Sequence, residues 1–125
     1  MHPLVAPFDI LTILALMDSE LQLQSRSFTH LWNNYPELRG RVFTINNNSE
    51  NRIKGSINKA LGVIAGVSDM VMLIRQSVIW IEWKVETGRQ SKQQIEFQKL
   101  VQSLGMEYYI VRTQEEFIEL VLRYK

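Results

Sequence analysis

The size and composition of the chain restrict both its architecture and its chemistry. At 125 residues, with 46% hydrophobic and 22% charged residues, it is long enough for one soluble domain and too short for two. The lack of cysteine excludes disulfides and thiolate metal sites, and is compatible with a reducing cytoplasm. Because the net charge is only +1, any affinity for nucleic acid must come from local basic clusters.

The longest uncharged apolar run lies near the N-terminus, at residues 10–17. It is far shorter than the roughly 20 residues that cross a bilayer, and no lysine or arginine precedes it, so we expect neither a membrane span nor a secretory signal. Residues 8–17 are predicted to form a short helix within an N-terminal extension, residues 1–18. This helix either covers the domain's own core or contacts a second subunit.

Helical and strand patterns alternate along the rest of the chain. Helices are predicted at 19–33, 56–61, 91–104 and 114–124, a polar loop at 46–51, and strands at 41–45, 70–74, 78–84 and 108–111. Ser19 or Asp18, Ser91 and Thr113 are the expected helix caps, and the apolar face of the third of these helices is predicted to be Gln94, Phe97, Val101 and Leu104.

This order predicts a mixed α/β (α+β) fold in which helices flank a central mixed sheet. The short connection at 75–77 favours an antiparallel hairpin, and the strand, helix and strand that follow favour a parallel, right-handed βαβ unit. The strands that begin after Asp69 and contain Glu82 then lie in the middle of the sheet.

Three charged residues interrupt those two apolar strands. Asp69 opens the first, and Glu82 and Lys84 follow in the second, where the alternation of side chains places them on the same face. Burying such charges costs several kcal/mol each without compensation, and a divalent cation beside a lysine would supply it. The alternative is a solvent-exposed hairpin face with an ordinary Glu-Lys pair.

The wider pattern around these residues resembles the virus-type replication-repair nuclease (VRR-NUC) domain, a branch of the PD-(D/E)xK nuclease superfamily. The residues that carry the resemblance are Gly66-Val67-Ser68-Asp69, Glu82-Trp83-Lys84, Gly88-Arg89-Gln90-Ser91 with Gln94, and Gly105 before Tyr108-Tyr109-Ile110-Val111. It covers residues 19–124 approximately. Ser68 departs from the proline usual before the aspartate, but proline would stiffen the chain there without binding metal, so we expect the geometry to persist.

The resemblance implies a metal-dependent catalytic site. Asp69 and Glu82 would bind Mg²⁺, with Mn²⁺ able to substitute, and the Trp83 backbone carbonyl would be a further ligand. Lys84 would hold the attacking water or the scissile phosphate. Glu20 would lie at the metal or at its bound water, although on local grounds it is an acidic residue suited to a helix start.

Gln94 has two interpretations that can coexist. The resemblance places it near the active site, where it would orient Lys84 or a water. Its position three residues after Ser91 also satisfies the capping-box pattern, which is a structural role.

The expected partner is DNA, bound mainly through phosphates by Arg89, Lys92, Ser91, Asn46 and Asn47. The resemblance implies an endonuclease for branched DNA, similar to homodimeric Holliday junction resolvases, in the cytoplasm of a bacterium or a phage-infected host. No organic cofactor and no membrane partner are expected. The alternatives are a nuclease for flaps, nicks or single strands, and a non-catalytic DNA-binding or interaction protein that keeps the fold.

Overall fold

The computed structural model describes residues 19–45 and 52–125. The predicted helix at 8–17 and the predicted loop at 46–51 lie outside the described residues. No described helix has the length and apolar character needed to span a membrane.

The described residues form four helices and four strands. The helices are α1 (Glu20–Asn34), α2 (Arg52–Ala60), α3 (Lys92–Ser103) and α4 (Gln114–Arg123), a 3-10 turn spans Pro36–Leu38, and the strands are β1 (Val42–Thr44), β2 (Met70–Ile74), β3 (Ser77–Trp83) and β4 (Glu107–Val111). The predicted order of elements is confirmed for this part of the chain. Several boundaries differ by one or two residues, and two differences are larger or affect the site: α2 begins at Arg52 rather than at residue 56, and Lys84 follows β3 instead of lying within it.

The helix starts follow from their capping residues. Ser19 caps α1 and Ser91 caps α3, and each forms a full capping box with the glutamine three residues later. Thr113 caps α4 by accepting a hydrogen bond from the Glu116 N–H at 3.0 Å. Each box satisfies two backbone donors that the first helical turn leaves without partners, so these short motifs fix where the helices begin.

The sheet has the strand order β1-β2-β3-β4. The first two pairs are antiparallel and β3 pairs with β4 in parallel, which confirms the predicted mixed sheet. The β2–β3 hairpin is tighter than predicted, since Ile74 pairs with Ser77 and leaves only Arg75 and Gln76 in the turn. Gln76, the second residue of this turn, adopts a left-handed φ of 65°.

The two faces of the sheet are covered differently. Ile79, Ile81 and Trp83 of β3 are fully buried in the main core, which α1 and α4 cover, and the Trp83 ring lies 4.9 Å from that of Phe117 in α4. Side chains alternate along a strand, so Glu82 lies on the opposite face.

Helix α3 packs on that second face. Its Phe97 makes edge contacts with the rings of Trp80 and Tyr108, at 5.1 and 6.4 Å between centroids. The predicted apolar face of α3 is correct for Val101, which is buried, and wrong for Leu104, which is 67% exposed. Helix α3 ends at Ser103, so Leu104 occupies the cap position and turns away from the sheet.

Gly66 brings the loop before β2 into direct contact with α3. Its φ is +88°, and a Cβ at this position would lie 2.4 Å from the backbone carbonyl carbon and oxygen of Gln93. Glycine is therefore required here both by the backbone conformation and by the lack of space. The contact fixes the path of the chain three residues before Asp69.

We expect Gly66→Ala to destabilise the protein more than Gly62→Ala. Gly62 has a similar φ of +95° with nothing within 4 Å of an added Cβ, so it measures the backbone strain alone, about 1 kcal/mol. The collision with Gln93 should add roughly 1–3 kcal/mol. Urea denaturation of both variants tests this, and equal losses would show that the contact with α3 contributes nothing.

Candidate active site

The hairpin brings the three predicted charged residues to one end of the two central strands. The pairing of Met70 with Ile81 sets the start of β2 beside the end of β3. Asp69 precedes β2, Glu82 is the penultimate residue of β3, and Lys84 follows it. The structure thus brings together Asp69, Glu82 and Lys84, as the antiparallel arrangement predicted, while their chemical roles stay predictions.

Glu82 is a wholly buried carboxylate that is only half satisfied. Its Oε1 accepts a hydrogen bond from the Tyr108 hydroxyl. Its Oε2 is buried and finds no hydrogen-bond partner in the described part of the chain. Burial raises the pKa of Glu82, against the opposing effects of the Tyr108 hydrogen bond and the Lys84 charge. The ionised form is therefore costly unless a further positive charge approaches Oε2.

Asp69 is fixed to the neighbouring strand by its side chain. The Trp83 backbone N–H donates to Asp69 Oδ2 at 2.7 Å. Burial raises the pKa of Asp69, the Trp83 N–H opposes this, and the Glu20 charge adds to it. The buried serine at position 68, in place of the expected proline, leaves the aspartate in contact with β3, as anticipated.

Lys84 is paired with the helical glutamate that the resemblance indicated. Lys84 is 6% exposed, and its Nζ lies 3.8 Å from Oε2 of Glu20, whose side chain is 42% exposed. Glu20 occupies the first turn of α1, directly after the Ser19 cap. Whether Glu20 reaches a metal is a prediction, but its charge is close enough to raise the pKa of both Asp69 and Glu82.

The turn that follows Lys84 is held by Arg112, a residue that no sequence motif indicated. The Arg112 guanidinium donates to the carbonyl oxygens of Val85 and Gly88, at 2.8 and 2.9 Å. A Cβ at Gly88 would lie 3.4 Å from both the Lys84 Cδ and Glu20 Oε2. This turn therefore passes directly against the ion pair and limits its movement.

Gln94 has the structural role that its spacing predicted. Its Oε1 accepts a hydrogen bond from the Ser91 N–H at 2.8 Å, and its own N–H donates to Ser91 Oγ at 3.2 Å. A catalytic role for Gln94 stays a prediction.

The proposed DNA contacts divide into two groups. Arg89, Ser91 and Lys92 are exposed and lie on the connection from β3 into α3 and at the start of that helix. Asn46 and Asn47 lie outside the described residues.

Sequence reasoning missed the two polar residues beside Glu82. Tyr108 and Gln90 both belong to runs that carry the resemblance, but neither is predicted to have a role in the site. The Gln90 Nε2 lies 3.4 Å from the Tyr108 hydroxyl and 2.9 Å from Gln98 Oε1. The parallel register that pairs Tyr108 with Trp80 places its hydroxyl on the Glu82 face, and that register is not readable from the sequence.

The available ligand atoms suit Mg²⁺ better than a metal ion that is coordinated entirely by protein side chains. Among residues 19–45 and 52–125, no three acidic, histidine or cysteine side chains converge as a metal site of their own. Mg²⁺ commonly binds one or two carboxylates and keeps several waters. The Asp69 carboxylate, together with Glu82 Oε2, which has no described hydrogen-bond partner, matches that requirement.

A mixed sheet between helices, with an acidic pair and a lysine where its two central strands meet, is the architecture expected of a PD-(D/E)xK-like fold. Among solved structures, the chain is similar to a VRR_NUC domain protein, with a TM-score of 0.69 and 16% identity over 86% of this chain and 88% of that one. The chain therefore has the VRR-NUC type of fold, which confirms the predicted fold class. No protein-family model and no curated protein matches the sequence.

Replacing Gln94 by alanine should lower the stability of the protein by about 1 kcal/mol, because the α3 capping box is lost. Thr113→Ala is the matched control, since it removes the cap of α4, which carries none of the predicted catalytic residues. Denaturation curves measure the stability loss. Unchanged stability of Gln94→Ala would show that the Gln94 side chain does not stabilise the start of α3. If Gln94 also serves the site, only its replacement lowers DNA cleavage per folded molecule.

Proposed function

We propose that this protein is a metal-dependent endonuclease that hydrolyses phosphodiester bonds in structured DNA. The observation that carries the proposal is Glu82, a fully buried carboxylate whose Oε2 lacks a described partner, in a cluster with Asp69 and Lys84. An uncompensated buried carboxylate of this kind costs stability, which is a common feature of catalytic and ligand-binding sites. The VRR-NUC type of fold supports the same class of activity.

The residues proposed to hold the ion are Asp69, Glu82 and the Trp83 carbonyl, with Glu20 acting directly or through a water. Mg²⁺ is the proposed metal, and Mn²⁺ a substitute. When bound, the ion would stabilise the charge that develops on the phosphoryl oxygens and lower the pKa of a bound water. Asp69 and Glu82 contribute the negative charge, and since burial raises the pKa of both carboxyls, a nearby cation favours the ionised forms.

Lys84 is proposed to act on the attacking water or the scissile phosphate. Its ammonium is a compact point charge with three donors, which suits either role. The 3.8 Å ion pair with Glu20 is longer than a charge-assisted hydrogen bond, so Lys84 can donate to another group without losing a tight contact.

DNA is proposed to bind across the connection from β3 to α3. Arg89 and Lys92 are exposed there and would contact phosphates, with Ser91, Asn46 and Asn47 adding polar contacts. Contacts of this kind position the backbone of the nucleic acid and carry no base specificity, so recognition would depend on DNA shape.

Asp69→Asn and Glu82→Gln should each abolish Mg²⁺-dependent cleavage, because a neutral amide binds the cation poorly. Lys84→Ala should lower the rate on the order of 10²-fold or more, as for other positioned charges in catalytic sites, and Glu20→Gln should also slow turnover. Cleavage of a labelled four-way junction measures the rates, and gel shifts without metal check that DNA binding persists.

Lys99→Ala, on the exposed side of α3, is the matched control for the loss of one positive charge and should cut at the wild-type rate. Wild-type-like cutting by either carboxylate variant would disprove the assignment. If the wild-type protein binds junctions but cuts no DNA with Mg²⁺ or Mn²⁺, the non-catalytic alternative is correct.

The finer part of the proposal is a homodimer that resolves Holliday junctions. A two-fold dimer places one site on each of two strands, as paired incisions require. In the described domain, Ile57 and Leu61 lie one turn apart at the end of α2, and both are exposed, Leu61 by 77%. Adjacent exposed apolar side chains are typical of an interaction surface.

We expect sedimentation to give a dimer at micromolar concentration and Leu61→Asp to shift it towards monomer. Leu21→Asp is the control, because Leu21 is 74% exposed in the first turn of α1 and is followed one turn along that helix by the polar residues Gln24 and Ser25. The dimer should prefer four-way junctions to linear duplex, with an affinity that falls steeply as salt rises. A monomer that cuts junctions, flaps and single strands equally would eliminate the resolvase version and leave the nuclease assignment intact.

A further inference from the structure

A chain of hydrogen bonds connects Glu82 to helix α3. Tyr108 is buried on β4 and its hydroxyl donates to Glu82 Oε1. Gln90, on the connection from β3 to α3, contacts that hydroxyl at 3.4 Å, and its amide also donates to Gln98 Oε1 of α3 at 2.9 Å. The four residues form a continuous relay from α3 to the carboxylate.

The donors and acceptors along this relay fix the direction of the Tyr108 proton. Gln98 Oε1 can only accept, so the amide nitrogen of Gln90 faces it and has a second hydrogen for Tyr108. Because the tyrosine oxygen accepts that hydrogen, its own proton points to Glu82. The relay therefore delivers one donor to Oε1 and none to Oε2.

The Tyr108 ring cannot easily move away from this position. Phe97 of α3 makes an edge contact with it, and Phe97 is itself packed against Trp80. Tyrosine has few rotatable bonds, so a ring held on one side by aromatic contacts places its hydroxyl accurately. The carboxylate of Glu82 is thereby held in one orientation.

We propose that Tyr108 is a positioning residue for the metal site. By occupying Oε1, it holds the Glu82 carboxylate so that Oε2 is presented to a divalent cation, and Gln90 and Gln98 orient the Tyr108 hydroxyl. This inference rests on the metal-dependent function proposed above. Loss of such an outer hydrogen-bond partner typically weakens metal binding by about 10- to 100-fold.

A purely structural role for Tyr108 makes a different prediction. If the hydroxyl only satisfies a buried oxygen, its removal changes the stability of the protein and leaves the affinity of the folded protein for metal unaltered. The test therefore measures Mn²⁺ affinity directly, by calorimetry on the full chain, alongside thermal unfolding.

Tyr108→Phe should weaken Mn²⁺ binding about tenfold or more. It should lower kcat for junction cleavage at limiting Mn²⁺ while leaving KM for DNA unchanged. The matched control is Tyr109→Phe, which removes a hydroxyl from the same strand on the opposite face, where it pairs with the Tyr124 hydroxyl. That variant should bind Mn²⁺ within about twofold of the wild-type affinity, because it leaves Glu82 and its relay intact.

Gln90→Leu gives a second test that keeps the buried tyrosine ring, and it should weaken Mn²⁺ binding in the same direction but less. If folded Tyr108→Phe binds Mn²⁺ with the wild-type affinity, the inference about Tyr108 is wrong and the proposed function is unaffected. If that variant does not fold, wild-type affinity in Gln90→Leu overturns the inference instead. A wild-type protein that neither binds Mn²⁺ nor cuts DNA overturns the proposed function, and the inference with it.

Discussion

The hydrogen bond from the Trp83 N–H to Asp69 Oδ2 joins the core of this protein to its candidate active site. The Trp83 ring is fully buried against Phe117 on one face of the sheet, and its backbone N–H holds the aspartate at the sheet end. Because a buried tryptophan ring has little freedom to shift in a close-packed core, the core fixes the distance between the two central strands where the acidic residues meet. The position of Asp69 relative to Glu82 is therefore a property of the fold rather than of a flexible loop.

The two carboxylates, of which Glu82 is buried and Asp69 half-buried, impose a cost that the same core must offset. Burial raises the pKa of both Asp69 and Glu82, so the folded protein binds protons more tightly at these groups than the unfolded chain does. The stability of the protein therefore falls as the pH rises from the ordinary carboxyl range towards the raised folded-state pKa values, because both groups ionise less readily in the folded protein. This loss of stability persists at higher pH. A divalent cation that binds only the folded, ionised form acts in the opposite direction. This stabilising effect of a bound cation, against the cost of ionising the carboxylates, is the physical reason to interpret the cluster of Asp69, Glu82 and Lys84 as a ligand site.

Local features of the fold could be predicted from the sequence, and contacts that depend on register could not. The caps at Ser19, Ser91 and Thr113 use hydrogen bonds that span three residues, so the helix starts follow from short motifs. The proximity of Asp69 to Glu82 could be predicted because it depends only on the hairpin that joins β2 to β3. The Tyr108–Glu82 contact depends instead on how β4 pairs with β3 across an intervening helix, and a shift of one residue would turn the tyrosine to the other face. Arg112 was missed for the same reason, since its partners precede it by 24 to 27 residues.

Helix α3 connects the parts of the site that the sequence separates. Its first turn contacts Gly66, which sets the path of the chain into Asp69, and its Gln98 begins the relay that ends on Glu82. Its Phe97 holds the Tyr108 ring from the same side. Both carboxylates are thus positioned from two directions, by Trp83 in the core and by α3 on the opposite face. A side chain of α3 that lies away from the two carboxylates can therefore influence their positions, through packing and through the hydrogen bonds that begin at Gln98, because these contacts leave little space for the two acidic residues to move independently.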